Sequence, residues 1–514
     1  METVKQNTDF KLFSLISGLY ALFYTFCLYR NYRGITFPFF VIGTACFFLY
    51  YIRVSGHTLK KGSGACIAAA FLLGLNVCLT TNVTVIMFDK AFIFLTFFML
   101  FLHNLYDDSA WDVSKYFLSI CGFAASAIEY LPRPVSDIAQ YLKDRNEDNA
   151  MTKSAEALPV TGEGEVAAEH LTISRSKAPI VYVLIGLGVS IPVLAVILPL
   201  LITSDVVFSD ILRRMFDFDL NFNPVTLFLM VLAAFFAAYM MLCRFREEAA
   251  FVSNPVTDKR TLNPIIAITV NVVLLAVYLL YCAIQVVYLF MRKGSLPTGY
   301  TYSKYAHEGF FQLVFVCLIN IVLVLLCRKY SRDSFILKLI LCLISACTYI
   351  MIASSAYRMY MYINAYNLTF LRLYVLWALV VMAVIMTGVI AYLFIPRMPF
   401  ARFAIWTLVC LWIVFAYMRP DFHIAAYDIR YSNDTGYICE LSFDAVPAIE
   451  RYDKSGELLD EYFADGDYAY METDPLRRES RENKASWRTW NYSLWRAGSV
   501  RSRSMIPDRN SKIY

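Results

Sequence analysis

One stretch of the chain, residues 354–374, carries polar and aromatic side chains whose spacing could do chemistry. The side chains are Arg358, Tyr362, Tyr366, Thr369 and Arg372. Successive members lie three or four positions apart, so an uninterrupted helix would place them on one face as an aromatic stripe with two cations. A helix break at Asn367, with the asparagine as an N-cap, would divide that stripe.

A second stretch, residues 302–313, adds Tyr305, Glu308 and Gln312 to a candidate polar recess. Two interpretations stay open. The residues could form an interfacial belt in which arginine and tyrosine extend toward the headgroups. They could also form a cationic recess for an anionic lipid headgroup, a lipid-linked precursor or a small anion, with Glu308 neutralising one arginine.

Catalytic, cofactor and metal motifs are missing from the sequence. It contains no HExxH, CxxC, Walker A, GxSxG or GxGxxG pattern, and most of its 13 cysteines lie in apolar runs. We therefore assign no catalytic residue, cofactor or metal, and expect a protein that is not an enzyme. A transferase would need acids such as Asp107, Asp108 and Asp112 beside His103, although water-facing loop acids are the simpler interpretation.

The composition shows which elements must position these residues. Hydrophobic residues make up 59% of the 514 positions and charged residues 17%, against about 25% charged in soluble chains. A bilayer core about 30 Å thick is crossed by about 20 apolar residues, and unpaired backbone groups in lipid enforce helices. We predict an all-α polytopic bundle of about 10–12 spans with a small soluble C-terminal tail. The candidate spans are 11–29, 34–52, 63–81, 88–105, 112–131, 178–203, 223–243, 264–290, 309–327, 334–357, 370–395 and 401–418.

The order of apolar and polar segments predicts four regions. An N-terminal bundle (1–131) precedes a polar, largely disordered linker (132–177), a C-terminal bundle (178–418) and a soluble or membrane-surface tail (419–514). Two finer features are expected within these regions. An amphipathic helix is expected over 204–221, which either lies flat in the membrane interface or connects two spans while packed on the bundle. The tryptophan- and arginine-rich segment 486–498 suits a membrane surface or a protein partner. Nucleic-acid binding is not expected.

Polar residues inside the spans can hydrogen-bond between helices or serve a transport path. Asn271, Gln285, Asn320 and Gln312 are expected to hydrogen-bond across helices. Ionisable residues at membrane depth, which would favour transport, are scarce in this interpretation.

The basic loops 132–177, 244–263 and 328–333 fall on one face, which the positive-inside rule makes cytoplasmic.

Four segments carry a family resemblance: TYSKYAHEGFFQL (301–313), RMYMYINAYNLTFLRLY (358–374), ELSFDAVPAI (440–449) and SWRTWNYS (486–493). They resemble motifs of bacterial membrane proteins classed as domain of unknown function 4173, related to group 4153. His307 and Glu308 stand where that pattern has basic residues, and Asn367 stands where it has glycine. The resemblance implies a multi-pass protein of the bacterial cytoplasmic membrane and brings no activity with it.

Three functions follow in order of preference. The first is a membrane-embedded binding, signalling or envelope-associated module whose tail docks a protein partner. The second is a secondary transporter or lipid-handling protein for an anionic or amphipathic substrate. The third is a membrane-embedded transferase. The lipid bilayer is the expected partner in all three cases.

Overall fold

The computed structural model describes residues 2–54, 58–108, 111–156, 224–248, 260, 262–287, 302–395, 398–431, 436–463 and 487–504. Within these ranges the side chains of 2–9, 54, 123–128, 145–156, 224–225, 245–248, 302–309 and 503–504 are not described. The described chain contains helices and no strand, which confirms the all-α fold class.

Sixteen α-helices cover most of the described residues. They are α1 (Glu2–Leu28), α2 (Thr36–Val54), α3 (Ser63–Leu79), α4 (Val83–Leu105), α5 (Val113–Tyr130), α6 (Arg133–Glu156), α7 (Pro224–Glu248), α8 (Pro264–Gln285), α9 (Tyr302–Tyr330), α10 (Phe335–Tyr366), α11 (Phe370–Phe394), α12 (Phe400–Tyr417), α13 (Pro420–Tyr431), α14 (Gly436–Cys439), α15 (Val446–Tyr452) and α16 (Tyr492–Ser504). Short 3-10 turns lie at Phe443–Ala445 and Trp487–Thr489.

Nine of the described helices are long and apolar enough to cross a bilayer. They are α1, α2, α4 and α7–α12, and each coincides with a predicted span. The predicted span 63–81 corresponds to α3, which has only 17 residues. The predicted span 112–131 corresponds to α5, which is not one of the nine. The predicted span 178–203 and the amphipathic helix expected over 204–221 lie outside the described residues.

The chain divides into two compact units. Unit 1 comprises 1–30, 43–58 and 118–252, and unit 2 comprises 31–42, 59–117 and 253–514. Each unit is therefore built from segments that are distant in the sequence. The sequential division at 131/132 and 177/178 stays a prediction, because 157–223 lie outside the described residues.

Unit 1 contains a helix in the region that we expected to be largely disordered. Residues 133–156 of the linker form α6. The Tyr239 hydroxyl of α7 donates to Asp137 at 2.7 Å, and the rings of Phe10 and Tyr141 lie 5.1 Å apart. These contacts with α7 and α1 order a polar segment whose composition alone suggested disorder. Residues 157–177 of the linker are outside the described residues.

Polar side chains join the helices of unit 2 in the interior. Asn320 of α9 donates to Thr348 of α10 at 2.9 Å and accepts from Tyr278 of α8 at 2.8 Å. A polar group in hydrocarbon must find its partner inside the protein, so such bonds fix how neighbouring helices align.

The predicted cross-helix hydrogen bonds are confirmed for three of the four residues. Besides Asn320, Asn271 contacts the Cys327 sulfur at 3.4 Å. Gln285 receives hydrogen bonds from two residues of α10, which are described with the candidate recess. Gln312 is exposed on α9.

The tail covers one end of the unit 2 helices, here called the capped end. The Leu368 amide donates to Asp428 of α13 at 2.9 Å, and the Phe370 amide donates to the Tyr437 hydroxyl at 3.1 Å. The opposite end, here called the basic end, consists of the described residues within 59–63, 103–117, 260–263, 328–338 and 398–402. These described residues include nine lysine or arginine side chains and four aspartates.

Close packing of α11 against α12 makes Gly388 a sensitive position. A Cβ atom there would lie 2.1 Å from the Phe403 ring, whereas a Cβ at Gly64 of α3 would meet nothing within 4 Å. We expect Gly388→Ala to lower the free energy of unfolding by about 1–3 kcal/mol, the usual cost of overpacking. Thermal unfolding in detergent measures the loss. Gly64→Ala is the control and should leave the transition unchanged or slightly higher; an unchanged Gly388→Ala would contradict this packing.

Candidate functional site

The predicted polar stripe is divided in the structure. Arg358 lies within α10 and is buried, and its Nη2 donates to the Gln285 side-chain oxygen at 3.2 Å. The Ser354 hydroxyl donates to the same oxygen at 2.8 Å. Arg358 thus belongs to a contact between α8 and α10.

The other half of the stripe gathers around the end of α10. The helix stops at Tyr366, and Asn367 follows in the left-handed region with φ of 70°, so the asparagine is a C-cap where we had considered an N-cap. Arg372 reaches back from α11 and donates to the carbonyls of Tyr366 and Asn367. Its guanidinium lies 4.2 Å from the Tyr362 ring centroid. A cation placed on the last carbonyls of a helix stabilises that end.

A small cleft of about 130 Å³ borders this helix end. Tyr362, Thr369 and Arg372 line it together with Phe310 and Phe311 of α9. Gln312 is exposed, and the side chains of Tyr305 and Glu308 lie outside the described side chains. The structure therefore brings together Tyr362, Tyr366, Thr369 and Arg372, and it places Arg358 elsewhere.

A much larger cavity, of about 840 Å³, lies at the basic end of unit 2. Its walls are mostly apolar and come from α9, α11, the starts of α5 and α12 and the residues just before those two helices. The lining residues are Trp111, Asp112, Val113, Ser114, Phe117, Val322, Leu325, Leu326, Lys329, Tyr392, Met398, Pro399, Phe400 and Ala401. We call this space the basic-end cavity. Its volume lies in the range of pockets that hold small molecules and cofactors.

The two charged side chains of the cavity wall, Asp112 and Lys329, lie next to each other. The Lys329 ammonium lies 2.6 Å from Asp112 and donates to the Ser114 hydroxyl at 2.8 Å. Burial raises the pKa of Asp112, but hydrogen bonds from Lys329, the Lys115 amide and Ser114 more than offset this, so its pKa lies below the ordinary value. The cavity thus combines an ionised polar edge with a long apolar wall.

A buried acidic network lies behind this wall. Asp108 is 2% exposed and accepts hydrogen bonds from Tyr116 at 2.6 Å and from Arg402 Nε at 3.1 Å. His103 Nδ1 lies 2.9 Å from the same carboxylate, and its Nε2 lies 2.9 Å from the Lys61 carbonyl. We expected the acids of this loop to face water, and that expectation is wrong for Asp108. Because both imidazole nitrogens face partners, this group holds the loop in place and presents no free base.

Sequence reasoning also missed an acid at membrane depth. Asp89 of α4 is fully buried; it accepts from Asn76 of α3 at 2.7 Å and from the Trp412 indole of α12 at 2.8 Å. The single aspartate in the apolar run of α4 was the available signal. Since each carboxylate oxygen accepts a hydrogen bond, Asp89 ties three helices together.

Two of the family-like motifs meet at the capped end. Asp444 of ELSFDAVPAI accepts from the Thr80 hydroxyl and, at 3.2 Å, from the Thr81 amide. Asn491 of SWRTWNYS donates to the Thr80 carbonyl at 2.9 Å. A Cβ on Gly34 would overlap the Arg488 carbonyl, so glycine is needed where the tail crosses the turn before α2.

A second carboxylate, Asp421, also holds the tail in place. We call the contacts that Asp421, Asp444 and Asn491 make with the residues just before α4 the tail joint. Asp421 accepts from Asn82 at 2.9 and 3.0 Å and from the Ser442 hydroxyl. Both aspartates are buried, and the hydrogen bonds described here come from neutral donors. Burial, and then the charge of Asp444, raise the pKa of Asp421 to about 6.

No group of three or more His, Cys, Asp or Glu side chains that could hold a metal occurs among the described residues.

The chain matches the model of one protein family, described as Domain of unknown function (DUF4153), over residues 67–452. The match covers well over half of the chain. It supports the related group 4153 and does not confirm the designation 4173. No curated protein and no solved structure matches.

The joint predicts a pH dependence. A carboxyl group whose pKa is higher in the folded state than in the unfolded state stabilises the fold when protonated. The docked tail should therefore be most stable below pH 3.8, the ordinary pKa, and should weaken as the pH rises through about 6. The full effect is about 3 kcal/mol.

Hydrogen exchange of amides 442–450, corrected for intrinsic rates, measures this stability between pH 4.5 and 8. Asp421→Asn cannot titrate and serves as the matched variant, in which the dependence should flatten. Equal protection of the wild-type joint at pH 5 and pH 7.5 would contradict the assignment.

Proposed function

We propose that this chain, which belongs to the family Domain of unknown function (DUF4153), is a membrane-embedded binding protein that holds an amphipathic, lipid-class molecule in the basic-end cavity. The observation that carries the proposal is the combination of a large apolar wall and a localised charged edge in that cavity. A ligand that matches both needs hydrocarbon chains and a polar head.

The apolar wall accommodates the chains of the ligand. Each methylene group removed from water contributes about 0.8 kcal/mol, although a lipid that enters from the bilayer gains less because its chains are already in hydrocarbon. Shape and the polar edge must then select the ligand. Val322 and Phe117 on the wall are 53% and 65% exposed, so acyl chains can reach the cavity from the side.

The polar edge sets the orientation of the ligand. Lys329 and Ser114 lie at the basic end, close to the last turn of α9, where headgroups would be found. We take this end as the cytoplasmic side by the positive-inside rule, which would put the tail on the opposite side of a cytoplasmic membrane.

The cleft beside Arg372 is the weaker candidate. Its volume is about 130 Å³, and Arg372 is already used by the carbonyls that end α10. The recess predicted from the sequence could accept a small anionic group there, but the cleft lacks room for a chain.

Transport and transfer reactions have less support. The intramembrane carboxylate of Asp89 is fully buried between Asn76 and Trp412 and therefore offers no exposed site for a transported ion. The His103–Asp108 pair is occupied on both sides. The tail exposes Trp487 and Trp495, at 63% and 56%, and these rings suit contact with the membrane surface or with a protein partner.

Blocking the cavity tests the proposal. We expect Val322→Trp to fill part of the apolar wall and weaken phospholipid binding at least tenfold. Native mass spectrometry of delipidated protein in detergent, titrated with phosphatidylglycerol, counts the bound lipid. Ile319→Trp is the matched control, because Ile319 is a similarly exposed residue of α9 that does not line the cavity. Equal binding by Val322→Trp and Ile319→Trp would exclude the cavity as the site.

A further inference from the structure

Arg328, in the last turn of α9, carries a buried guanidinium that is only partly satisfied. Its side chain is 3% exposed, and Nη1 donates to Asp333 at 2.8 Å. Within the described part of the chain, Nε and Nη2 are buried without a hydrogen-bond partner. Buried donors that stay unpaired are costly and rare, so each one calls for an explanation.

The two unpaired atoms form one edge of the guanidinium. Nε and one Nη nitrogen point in the same direction and donate in parallel to two oxygens of a carboxylate or phosphate. The unused edge of Arg328 therefore has the shape of a receptor for an oxyanion.

Several basic groups surround the carboxylate that Arg328 contacts. Asp333 contacts three cations: its Oδ1 lies near Arg328 and, at 3.5 Å, Lys338, and its Oδ2 lies 3.1 Å from Arg260. These charges more than offset the effect of burial and hold the pKa of Asp333 below its ordinary value.

Arg328 also lies beside the basic-end cavity. The guanidinium carbon of Arg328 is 5.6 Å from the Tyr392 ring centroid, and Tyr392 lines the cavity. Lys329, the next residue, lines it as well. Tyr392 thus adjoins both the arginine and the space in which we place the acyl chains.

We infer that Arg328 is the headgroup receptor of the basic-end cavity and binds the phosphate of an anionic phospholipid through Nε and Nη2. The inference rests on the proposed function, since the chains of that lipid would occupy the cavity. The side chain must turn past Tyr392 to reach the phosphate. Asp333 keeps Arg260 and Lys338 as partners during this movement, so the turn leaves no carboxylate unpaired.

Selectivity between headgroups is the direct test. Delipidated full-length protein in detergent is titrated with phosphatidylglycerol and with phosphatidylcholine of identical chains, and bound lipid is counted by native mass spectrometry. The wild type should prefer phosphatidylglycerol at least tenfold. Arg328→Gln should reduce this preference to about twofold while leaving phosphatidylcholine binding unchanged.

Two further variants separate geometry from charge. Arg328→Lys keeps the charge but lacks the two-donor edge, and it should lose most of the preference. Arg332→Gln removes the same charge from an exposed neighbouring position and should behave as wild type. An Arg332→Gln variant that matched Arg328→Gln would reduce the effect to general surface charge and overturn the inference.

The remaining outcomes are also decisive. If Val322→Trp abolishes binding while Arg328→Gln keeps the full preference, the cavity stands and the receptor assignment fails. If phospholipid does not bind in the cavity at all, the proposed function fails and the inference with it. Inorganic phosphate at millimolar concentration should compete only weakly with phosphatidylglycerol; full displacement would show a site for free phosphate and overturn the lipid assignment.

Discussion

The structure depends on one constraint: in hydrocarbon, a polar group must find its partner inside the protein. The backbone meets this constraint by forming helices. The side chains meet it by pairing across helices, as Asn320 does with Thr348 and Tyr278, and as Asp89 does with Asn76 and Trp412. Both aspartates of the tail joint are likewise surrounded by amide and hydroxyl donors. Among the described residues, Nε and Nη2 of Arg328 belong to the few buried polar atoms that lack such a partner, and atoms of this kind mark places where a ligand can complete the network.

The two ends of unit 2 have different tasks. At the capped end, the tail closes over the helix turns through Asp421, Asp444 and Asn491, so the family-like motifs of the tail hold structure together. At the basic end, the helices leave a large cavity with a charged edge. A hydrogen-bonded joint at one end and an accessible cavity at the other fit a binding protein whose ligand enters from the membrane.

The architecture could be predicted because hydrophobic composition and span length depend only on the order of residues along the chain and not on contacts between distant segments. Cross-helix bonds of Asn271, Gln285 and Asn320 could also be anticipated, since an amide in lipid has few alternatives. The recess was less predictable. The predicted stripe required a continuous helix through residue 372. The helix ends instead at Tyr366, just before Asn367, which has a positive φ, and Arg372 donates back to the carbonyl of Tyr366. The helix over 133–156 depends on contacts with α1 and α7, which a polar composition does not reveal.

The basic-end cavity could not be predicted, because its walls come from segments separated by more than 200 residues, such as Trp111 and Val322. A high-resolution cryo-electron microscopy map of the protein in nanodiscs that contain phosphatidylglycerol tests its role most directly. We expect elongated density along α9 beside Val322, with a headgroup feature near Lys329 and Arg328. Well-resolved lipid around the helices together with a cavity that holds only solvent or the protein's own side chains would contradict the account.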